Sequence, residues 1–425
     1  MAAQRSEDTV GYLEVIRNNR SFRLLWLAQV VSLLGDWFGL VASATLVAQL
    51  TGSAMAVGGL FVVRMLPPFL ISPIAGVAAD RYDRKGLLIA ADVIRALTVV
   101  GFFFVREPAH VWLLYSLTAT QLALSGVFFP ARNAILPTVV SARELGTANA
   151  LGATTWSVML ALGAALGGFV AGRFGVYAAF AVDAVSYLVS AALLLMIRGR
   201  FRAPDSGTDR SVWAAGREYF EGLGYLRRHR DILFTAMHKA LFGLTMGGAL
   251  QVVQVTLAQG VFVIGEGGST SLGLMYATAG IGTGIGPLVA RRFSGDDRGQ
   301  LRRWIVAGYL LAVLGLAIIS PLLSLPIVLL GIFVRGLGNG VNWVFSTQLL
   351  MMFVPSEVRG RVFSTEFAAF TLAQAVSTAV GGWVLDHAAV GLQQIVLVLA
   401  LLPLIPCGAW VLWIRRSSEG SGECK

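Results

Sequence analysis

Asp36 and Arg64 are two ionisable residues within otherwise apolar stretches of this 425-residue sequence. Asp36 lies about 14 residues after the start of the first stretch, and Arg64 lies about 15 residues before the end of the second, so both are ~20 Å along their helices. If the stretches span a bilayer, this depth is near the midplane, where a lone charge costs about 3 kcal/mol and must face a partner or water. We therefore expect Asp36 to bind and release a coupling proton, while Arg64 tunes its proton affinity. The alternative is a fixed, structural ion pair.

Other polar side chains inside apolar stretches are candidates for lining a cavity. Asp92 and Arg95 are three residues apart, so they share a helical face and are expected to pair. The cavity candidates are Asp92, Arg95, Arg335, Asn339, Asn342 and Glu366. Arg335 has no acidic residue at its depth, which favours a place in a cavity. Asp183 and Lys239 are weaker candidates, and we expect Lys239 to extend toward the membrane surface. For each residue a structural role is the alternative.

The short charged run GVAADRYDRK, residues 76–85, separates two apolar stretches of membrane length. Asp80 is expected at the C-terminal end of a helix, where the helix dipole disfavours a negative charge. It therefore needs a basic partner or the N-terminus of another helix, and we expect Arg132 to be its basic neighbour. The alternative is an ordinary cytoplasmic loop, which explains Arg84 and Lys85 but not Asp80.

The composition indicates a protein that crosses a membrane many times. Hydrophobic residues make up 56% of the chain and charged residues 13%, whereas soluble proteins carry roughly 25% charge. A net charge of +10 is also typical of nucleic-acid-binding proteins. Here the basic residues lie in short segments between apolar stretches, so membrane topology explains them and no nucleic-acid partner is expected. We expect a multi-pass protein of the cell (inner) membrane, with the lipid bilayer as its surroundings.

Twelve stretches are long enough to cross a bilayer as helices, which takes about 20 residues each. They are residues 22–50, 54–79, 86–105, 109–131, 144–172, 176–198, 232–263, 270–292, 302–322, 325–353, 360–386 and 391–414. The predicted fold is an all-α membrane protein with twelve transmembrane helices in two six-helix bundles. The bundles are residues 22–198 and 232–414, flanked by a cytoplasmic N-terminal segment, 1–21, and a cytoplasmic tail, 415–425.

Residues 199–231 form the predicted cytoplasmic linker between the bundles. Trp213, Phe220, Leu223 and Leu226 lie at roughly helical spacing within it, which favours an amphipathic helix on the membrane surface. A plain linker is the alternative. When the twelve spans alternate in direction, nearly all Lys and Arg residues fall on the side of the N-terminus. This distribution predicts that both termini are cytoplasmic.

The pattern Gly-x-x-x-Asp-Arg-x-x-Arg-Lys at residues 76–85 resembles the loop between the second and third helices of the major facilitator superfamily. GDW at 35–37, FFPARNAILPTVVSARELGTANAL at 128–151 and AFAVDAVSYLVSAALL at 179–194 resemble its macrolide-efflux and enterobactin-exporter branch. The resemblance implies the superfamily's two-bundle fold. It also implies export of an organic molecule coupled to proton uptake.

The same resemblance implies a cytoplasmic gate, in which Asp80 helps to lock the two halves together in the outward-open state. Asp80 would then face the start of the eleventh helix near Arg359, and Gly76 would permit close helix contact. The gate candidates are Gly76, Asp80, Arg81, Arg84, Arg132 and Arg359. One position departs from the superfamily's proton-driven exporters, which often carry Gly-Pro in the fifth helix, because Gly167 is followed here by Gly168.

Catalytic and cofactor-binding patterns do not occur in the sequence. The four histidines lack metal-ligand spacing, and the two cysteines build neither a disulfide framework nor a metal site. The sequence also lacks a Gly-x-x-x-x-Gly-Lys-Ser/Thr phosphate loop. We therefore expect no enzyme activity, no cofactor and no metal. The polar N-terminus is not typical of a cleavable signal peptide.

These features predict a monomeric secondary active transporter that exports amphipathic organic molecules, such as a drug or a siderophore, in exchange for protons. A lysolipid flippase and an uncoupled facilitator are alternatives within transport. A third alternative, from another class, is a membrane-embedded binding or regulatory protein that does not transport.

The arginine distribution leads to a test of the topology. Reporter proteins fused after Arg200 and after Arg416 are expected to report the cytoplasm, and a reporter at Glu266 the outside. Paired fusions to alkaline phosphatase and a fluorescent protein measure both outcomes in cells. The reverse result at any of the three positions would contradict the twelve-helix arrangement.

Overall fold

A computed structural model of the protein describes residues 11–141, 143–199, 201, 224–295 and 297–419. These residues form helices joined by short turns and contain no β-strand. A short helix, α1 (Tyr12–Asn18), precedes the first membrane-length helix. The all-α fold predicted from the sequence is therefore confirmed.

Six long helices follow α1 in the N-terminal half. They are α2 (Arg20–Thr51), α3 (Ala54–Arg81), α4 (Arg84–Gly101), α5 (Val111–Val139), α6 (Leu145–Phe174) and α7 (Val176–Leu195). Six spans follow in the C-terminal half, of which the first and last are composite. The first is α8 (Arg230–Phe242), a π-helical segment (Gly243–Gly247) and α9 (Gly248–Gly260). Then come α10 (Ser269–Ser294), α11 (Arg298–Ile319), α12 (Leu325–Phe353), α13 (Ser356–His387) and the pair α14 (Leu392–Leu401) and α15 (Leu404–Glu419).

Every predicted span is present as a helix. Eleven spans within the described part of the chain are long and apolar enough to cross a bilayer, and α3, with 28 residues, supplies the twelfth. The ends differ from the prediction most clearly at α5, which continues past residue 131 through Pro137 to Val139. The last span is interrupted at Pro403, because proline has no backbone N–H for the helical ladder.

The chain forms two compact units, which are described separately. The first unit comprises Met1–Leu50, Val63–Gly216 and Ile264–Gly273, and the second comprises Thr51–Val62, Arg217–Val263 and Leu274–Lys425. The start of α3 therefore packs with the second unit. There the Asp386 carboxylate accepts hydrogen bonds from the N–H groups of Ala54 and Met55 at 2.8 and 2.9 Å. These bonds satisfy donors that lack partners at the start of a helix.

The predicted linker lies mostly outside the described residues, including Trp213, Phe220 and Leu223, so its boundaries and the domain limits stay predictions. Residues 224–228 are helical, and Leu226 is fully buried in a cluster with Ile232 and Leu350. A leucine in this position belongs to the core of the second unit. The amphipathic helix proposed for the linker stays a prediction, and Leu226 faces protein rather than lipid.

Glycines set the distance between α11 and α12 in the second unit. A β-carbon added to Gly338 would lie 2.2 Å from the carbonyl oxygen of Gly308, and one added to Gly331 would lie 2.6 Å from that of Gly315. Such close backbone approach is typical of membrane helices packed through small residues. The two helices are therefore held by a glycine contact that no larger side chain can replace.

We expect Gly338→Ala to lower the free energy of unfolding by about 1–3 kcal/mol, because the added methyl group overpacks the α11–α12 contact. Gly284→Ala in α10 is the matched control, since a β-carbon there meets nothing within 4 Å. Thermal unfolding of both purified variants measures the difference. Equal stability of the two variants would contradict this role of Gly338.

Candidate functional site

Asp92 and Arg95 in α4 form an ion pair, as their spacing predicts. Both side chains are buried, with exposed fractions of 0% and 1%. The Ser190 hydroxyl donates a hydrogen bond to Asp92 at 2.6 Å. Arg95 donates to the Ser125 and Ser32 hydroxyl oxygens at 3.1 and 3.2 Å. The pair is thereby bonded to α2, α5 and α7.

Two aromatic rings cover the guanidinium group of Arg95. Its central carbon lies 4.7 Å from the ring centre of Phe128 and 4.3 Å from that of Tyr187. A cation is attracted to the face of an aromatic ring, and more strongly where water is excluded. The charge of Arg95 is therefore stabilised by rings as well as by Asp92.

Asp36 lies at the edge of this pair. Its Oδ1 atom is 4.0 Å from Nη1 of Arg95, and it accepts a hydrogen bond from the Tyr187 hydroxyl at 2.5 Å. The Asp36 side chain is 22% exposed, in contrast to its buried neighbours. It is thus the carboxylate of this group that water can reach.

Asp183 in α7 is the third carboxylate, and it is fully buried. It accepts a hydrogen bond from the side-chain amide of Gln121 at 3.2 Å, while its Oδ1 atom has no hydrogen-bond partner within the described part of the chain. Gly35 and Gly39 let Asp183 pack closely against α2, because a β-carbon on Gly39 would lie 2.5 Å from Asp183 Oδ2. From the sequence, Asp183 was a weaker candidate than Asp36. The two glycines around Asp36, spaced by one helical turn, were the signal for a close approach here.

Arg64 interacts electrostatically with Asp183. The pairing of Asp36 with Arg64 stays a prediction, and the arginine found beside Asp36 is Arg95, at 4.0 Å. We call Asp36, Arg64, Asp92, Arg95 and Asp183 the aspartate–arginine cluster. It lies in the first unit and contains three carboxylates and two guanidinium groups.

Lys239 and Glu366 form a second buried ion pair, in the second unit, at 2.9 Å. Lys239 also donates a hydrogen bond to the Thr347 hydroxyl at 2.6 Å and lies 4.5 Å from the ring centre of Trp343. The expectation that Lys239 extends to the membrane surface is wrong, because Glu366 and Trp343 neutralise and cover its charge inside the unit. These residues are far apart in the sequence, so spacing did not reveal the pair.

Arg335 finds a backbone partner instead of an acid. Its guanidinium group donates a hydrogen bond to the carbonyl of Met246 at 2.7 Å. Met246 lies in the π-helical segment, and such segments disturb the regular backbone bonding of a helix. Asn342 is buried against Gly308, while Asn339 is half-buried. These positions give Arg335 and Asn342 packing roles in the second unit, and their proposed place in a cavity stays a prediction.

The gate candidates are only partly described. The structure does not describe the surroundings of Gly76, Asp80 and Arg81. The proposed lock at Asp80 therefore stays a prediction. Arg84 donates a hydrogen bond to the carbonyl of Ala134 at 3.0 Å, and Arg132 bonds to Asn133 at 3.1 Å. Arg359 donates to the carbonyls of Met351 and Val354, both at 3.2 Å. In each of these hydrogen bonds both partners belong to the same unit.

Two residues of the same charged run have structural roles that the sequence analysis did not assign. The Asp83 carboxylate caps α4 by accepting a hydrogen bond from the N–H of Gly86 at 2.9 Å, and it accepts another from Phe201 at 2.7 Å. Lys85 donates to the carbonyls of Leu195 and Ile197 at the end of α7. Asp before a helix is a typical N-cap, so Asp83 was recognisable from the sequence.

The sequence is similar to proteins named as MFS-type transporters or putative exporters. It is 28% identical over 391 residues to the uncharacterized MFS-type transporter YfiS of Bacillus subtilis. The aligned region covers 90% of this chain and 91% of the relative. It is 25% identical over 362 residues to the putative bacilysin exporter BacE of Bacillus subtilis, covering 84% of this chain and 86% of the relative.

Solved structures share the fold at low sequence identity. A POT family transporter in complex with a thioalcohol-conjugated peptide superposes with a TM-score of 0.73 at 11% identity, covering 93% of this chain and 96% of that one. The nucleoside transporter NupG gives a TM-score of 0.70 at 13% identity, covering 93% and 98%. Residues 25–377 and 267–423 match the Major Facilitator Superfamily. With this match over most of its length, the chain belongs to the Major Facilitator Superfamily and is a membrane transporter.

Proposed function

We propose that this protein is a proton-coupled exporter of amphipathic organic molecules and that Asp36 binds the coupling proton. The observation that carries the proposal is the charge count of the aspartate–arginine cluster. Three carboxylates and two guanidinium groups leave one negative charge when all are ionised. One bound proton makes the cluster neutral.

The surroundings favour that neutral state. An uncompensated charge inside a membrane protein is costly, and a bound proton removes the cost without any rearrangement of the helices. Asp92 and Asp183 are fully buried, whereas Asp36 keeps an exposed fraction of 22%. A proton from water therefore reaches Asp36 before it reaches the other two carboxylates.

A chain of hydrogen bonds links Asp36 to the rest of the cluster. The Gln121 side-chain amide donates a hydrogen bond to Asp183. It donates another to the Tyr187 hydroxyl oxygen at 2.7 Å. The Tyr187 hydroxyl in turn donates to Asp36. Hydrogen bonds to an ionised carboxylate are about twice as strong as those between neutral groups. Protonation of Asp36 therefore weakens the bonds that join α2 to α5 and α7, which couples proton binding to helix movement.

Two observations support export of an amphipathic molecule. The relative BacE is named as a putative bacilysin exporter, and the N-terminal motifs resemble the macrolide-efflux and enterobactin-exporter branch. Inward proton flow across the inner membrane would supply the free energy for outward transport. In this proposal Asp80 and its basic neighbours close the cytoplasmic side, and the protein acts as a monomer.

Asp36→Asn is expected to abolish transport driven by a pH gradient while leaving counterflow exchange intact, because the amide mimics the protonated state permanently. The measurement uses protein reconstituted in vesicles, with rhodamine 6G and erythromycin as probe compounds. Gradient-driven flux, counterflow and folded yield are determined on the same preparations.

Two Asp→Asn variants serve as controls. Asp297→Asn, at the exposed N-cap of α11, is expected to transport normally, since asparagine caps a helix as well as aspartate. Asp92→Asn is expected to lower stability by about 3–5 kcal/mol, because it removes the partner of a buried arginine. If folded Asp36→Asn protein still accumulates a probe compound when a pH gradient is applied, Asp36 is not the coupling residue. If the wild-type flux does not depend on the pH gradient, the result would instead favour a flippase or an uncoupled facilitator.

A further inference from the structure

We propose that α11 and α15 form a binding site for one anionic phospholipid at their cytoplasmic ends. A cleft of about 280 Å³ lies between the first turns of α11 and the end of α15. Its lining residues are Arg303, Val306, Val411, Ile414 and Arg415. The transport mechanism proposed above uses none of these residues.

The cleft is basic at one end and aliphatic at the other. Arg303 lies nearer the start of α11 than Val306, and Arg415 lies nearer the end of α15 than Val411, in each case by about one helical turn, or ~5 Å. Guanidinium groups bind phosphate oxygens through paired N–H donors. The arrangement therefore fits a lipid phosphate between the two arginines and the first part of an acyl chain against the valines.

Two tryptophans beside the cleft contact Arg302, the residue before Arg303. The indole N–H of Trp410 donates a hydrogen bond to the carbonyl of Arg302 at 3.1 Å, and the Trp413 ring centre lies 4.4 Å from the Arg302 guanidinium carbon. Arg302 is thus held by an aromatic ring, and Arg303 and Arg415 are the arginines that line the cleft.

Charge complementarity favours an anionic lipid of the inner leaflet. The arginine distribution predicts that the start of α11 and the end of α15 face the cytoplasm, and the cytoplasmic leaflet carries the anionic lipids of the cell membrane. The lining residues include no acid. Basic pockets between membrane helices on this side bind phospholipid headgroups. A soluble phosphate compound would use the arginines but leave the aliphatic wall uncovered.

The test is native mass spectrometry of the full-length protein released from nanodiscs that contain equal amounts of phosphatidylglycerol and phosphatidylcholine. The wild-type protein is expected to retain one phosphatidylglycerol in preference to phosphatidylcholine. In Arg303→Gln/Arg415→Gln protein, phosphatidylglycerol affinity is expected to fall about 30-fold, from the contribution of two basic residues near the surface. The matched control is Arg227→Gln/Arg228→Gln, which removes the same charge from two exposed arginines outside the cleft and is expected to retain the lipid.

A second variant separates lipid binding from simple anion binding. Val411→Phe keeps both arginines but fills the aliphatic part of the cleft, so it is expected to lose the lipid as well. Retention of the lipid by Val411→Phe would reduce the site to an anion site and overturn the proposal. Equal loss in the Arg227/Arg228 control, which indicates general surface charge, would also overturn it. Equal retention of phosphatidylcholine by the wild-type protein would do the same.

Discussion

The burial of Arg95 is the constraint on which the first unit depends. A guanidinium group buried inside a membrane needs hydrogen-bond acceptors for its N–H groups and side chains that shield its two flat faces from lipid. No single helix can supply both. Here Asp92 comes from α4 itself, Ser32 from α2, Ser125 from α5 and Tyr187 from α7. Satisfying one charge therefore fixes the mutual positions of four helices. The same requirement brings Asp36 and Asp183 together from helices that are distant in the sequence.

The two units solve the problem of buried charge differently. In the second unit Lys239 and Glu366 balance each other one to one, and Arg335 is satisfied by the backbone carbonyl of Met246. The aspartate–arginine cluster of the first unit has one carboxylate more than its guanidinium groups can neutralise. Our proposal that proton coupling lies in the first unit rests on this difference.

Much of the architecture follows from the sequence, because apolar length alone identifies spanning helices. The pairing of Asp92 with Arg95 also follows, since three residues on one helix share a face. The partners of Asp36 did not follow in full. Tyr187 and Asp183 meet it only when α7 turns a particular face toward α2, and helices that are apolar all round carry no stripe that reveals this rotation.

The Lys239–Glu366 pair illustrates the same limit. Taken alone, each residue has an ordinary structural explanation in a membrane helix. Lys239 lies near a helix end, and Glu366 lies a few turns inside its own helix. Only the packing of α8 against α13 and α12 shows that they neutralise each other beside Thr347. The lock at Asp80 stays a prediction, although the capping role of Asp83 in the same run was recognisable.

We infer that the aspartate–arginine cluster binds one proton during transport, at Asp36. Infrared difference spectroscopy in H₂O and D₂O detects protonated carboxyl groups directly through their C=O band, without knowledge of the transported compound. The difference between wild-type spectra taken at acidic and at neutral pH is predicted to contain one such band, which is absent in Asp36→Asn and present in Asp297→Asn. A wild-type spectrum without a protonated carboxyl group, or a band that persists in Asp36→Asn, would contradict the account.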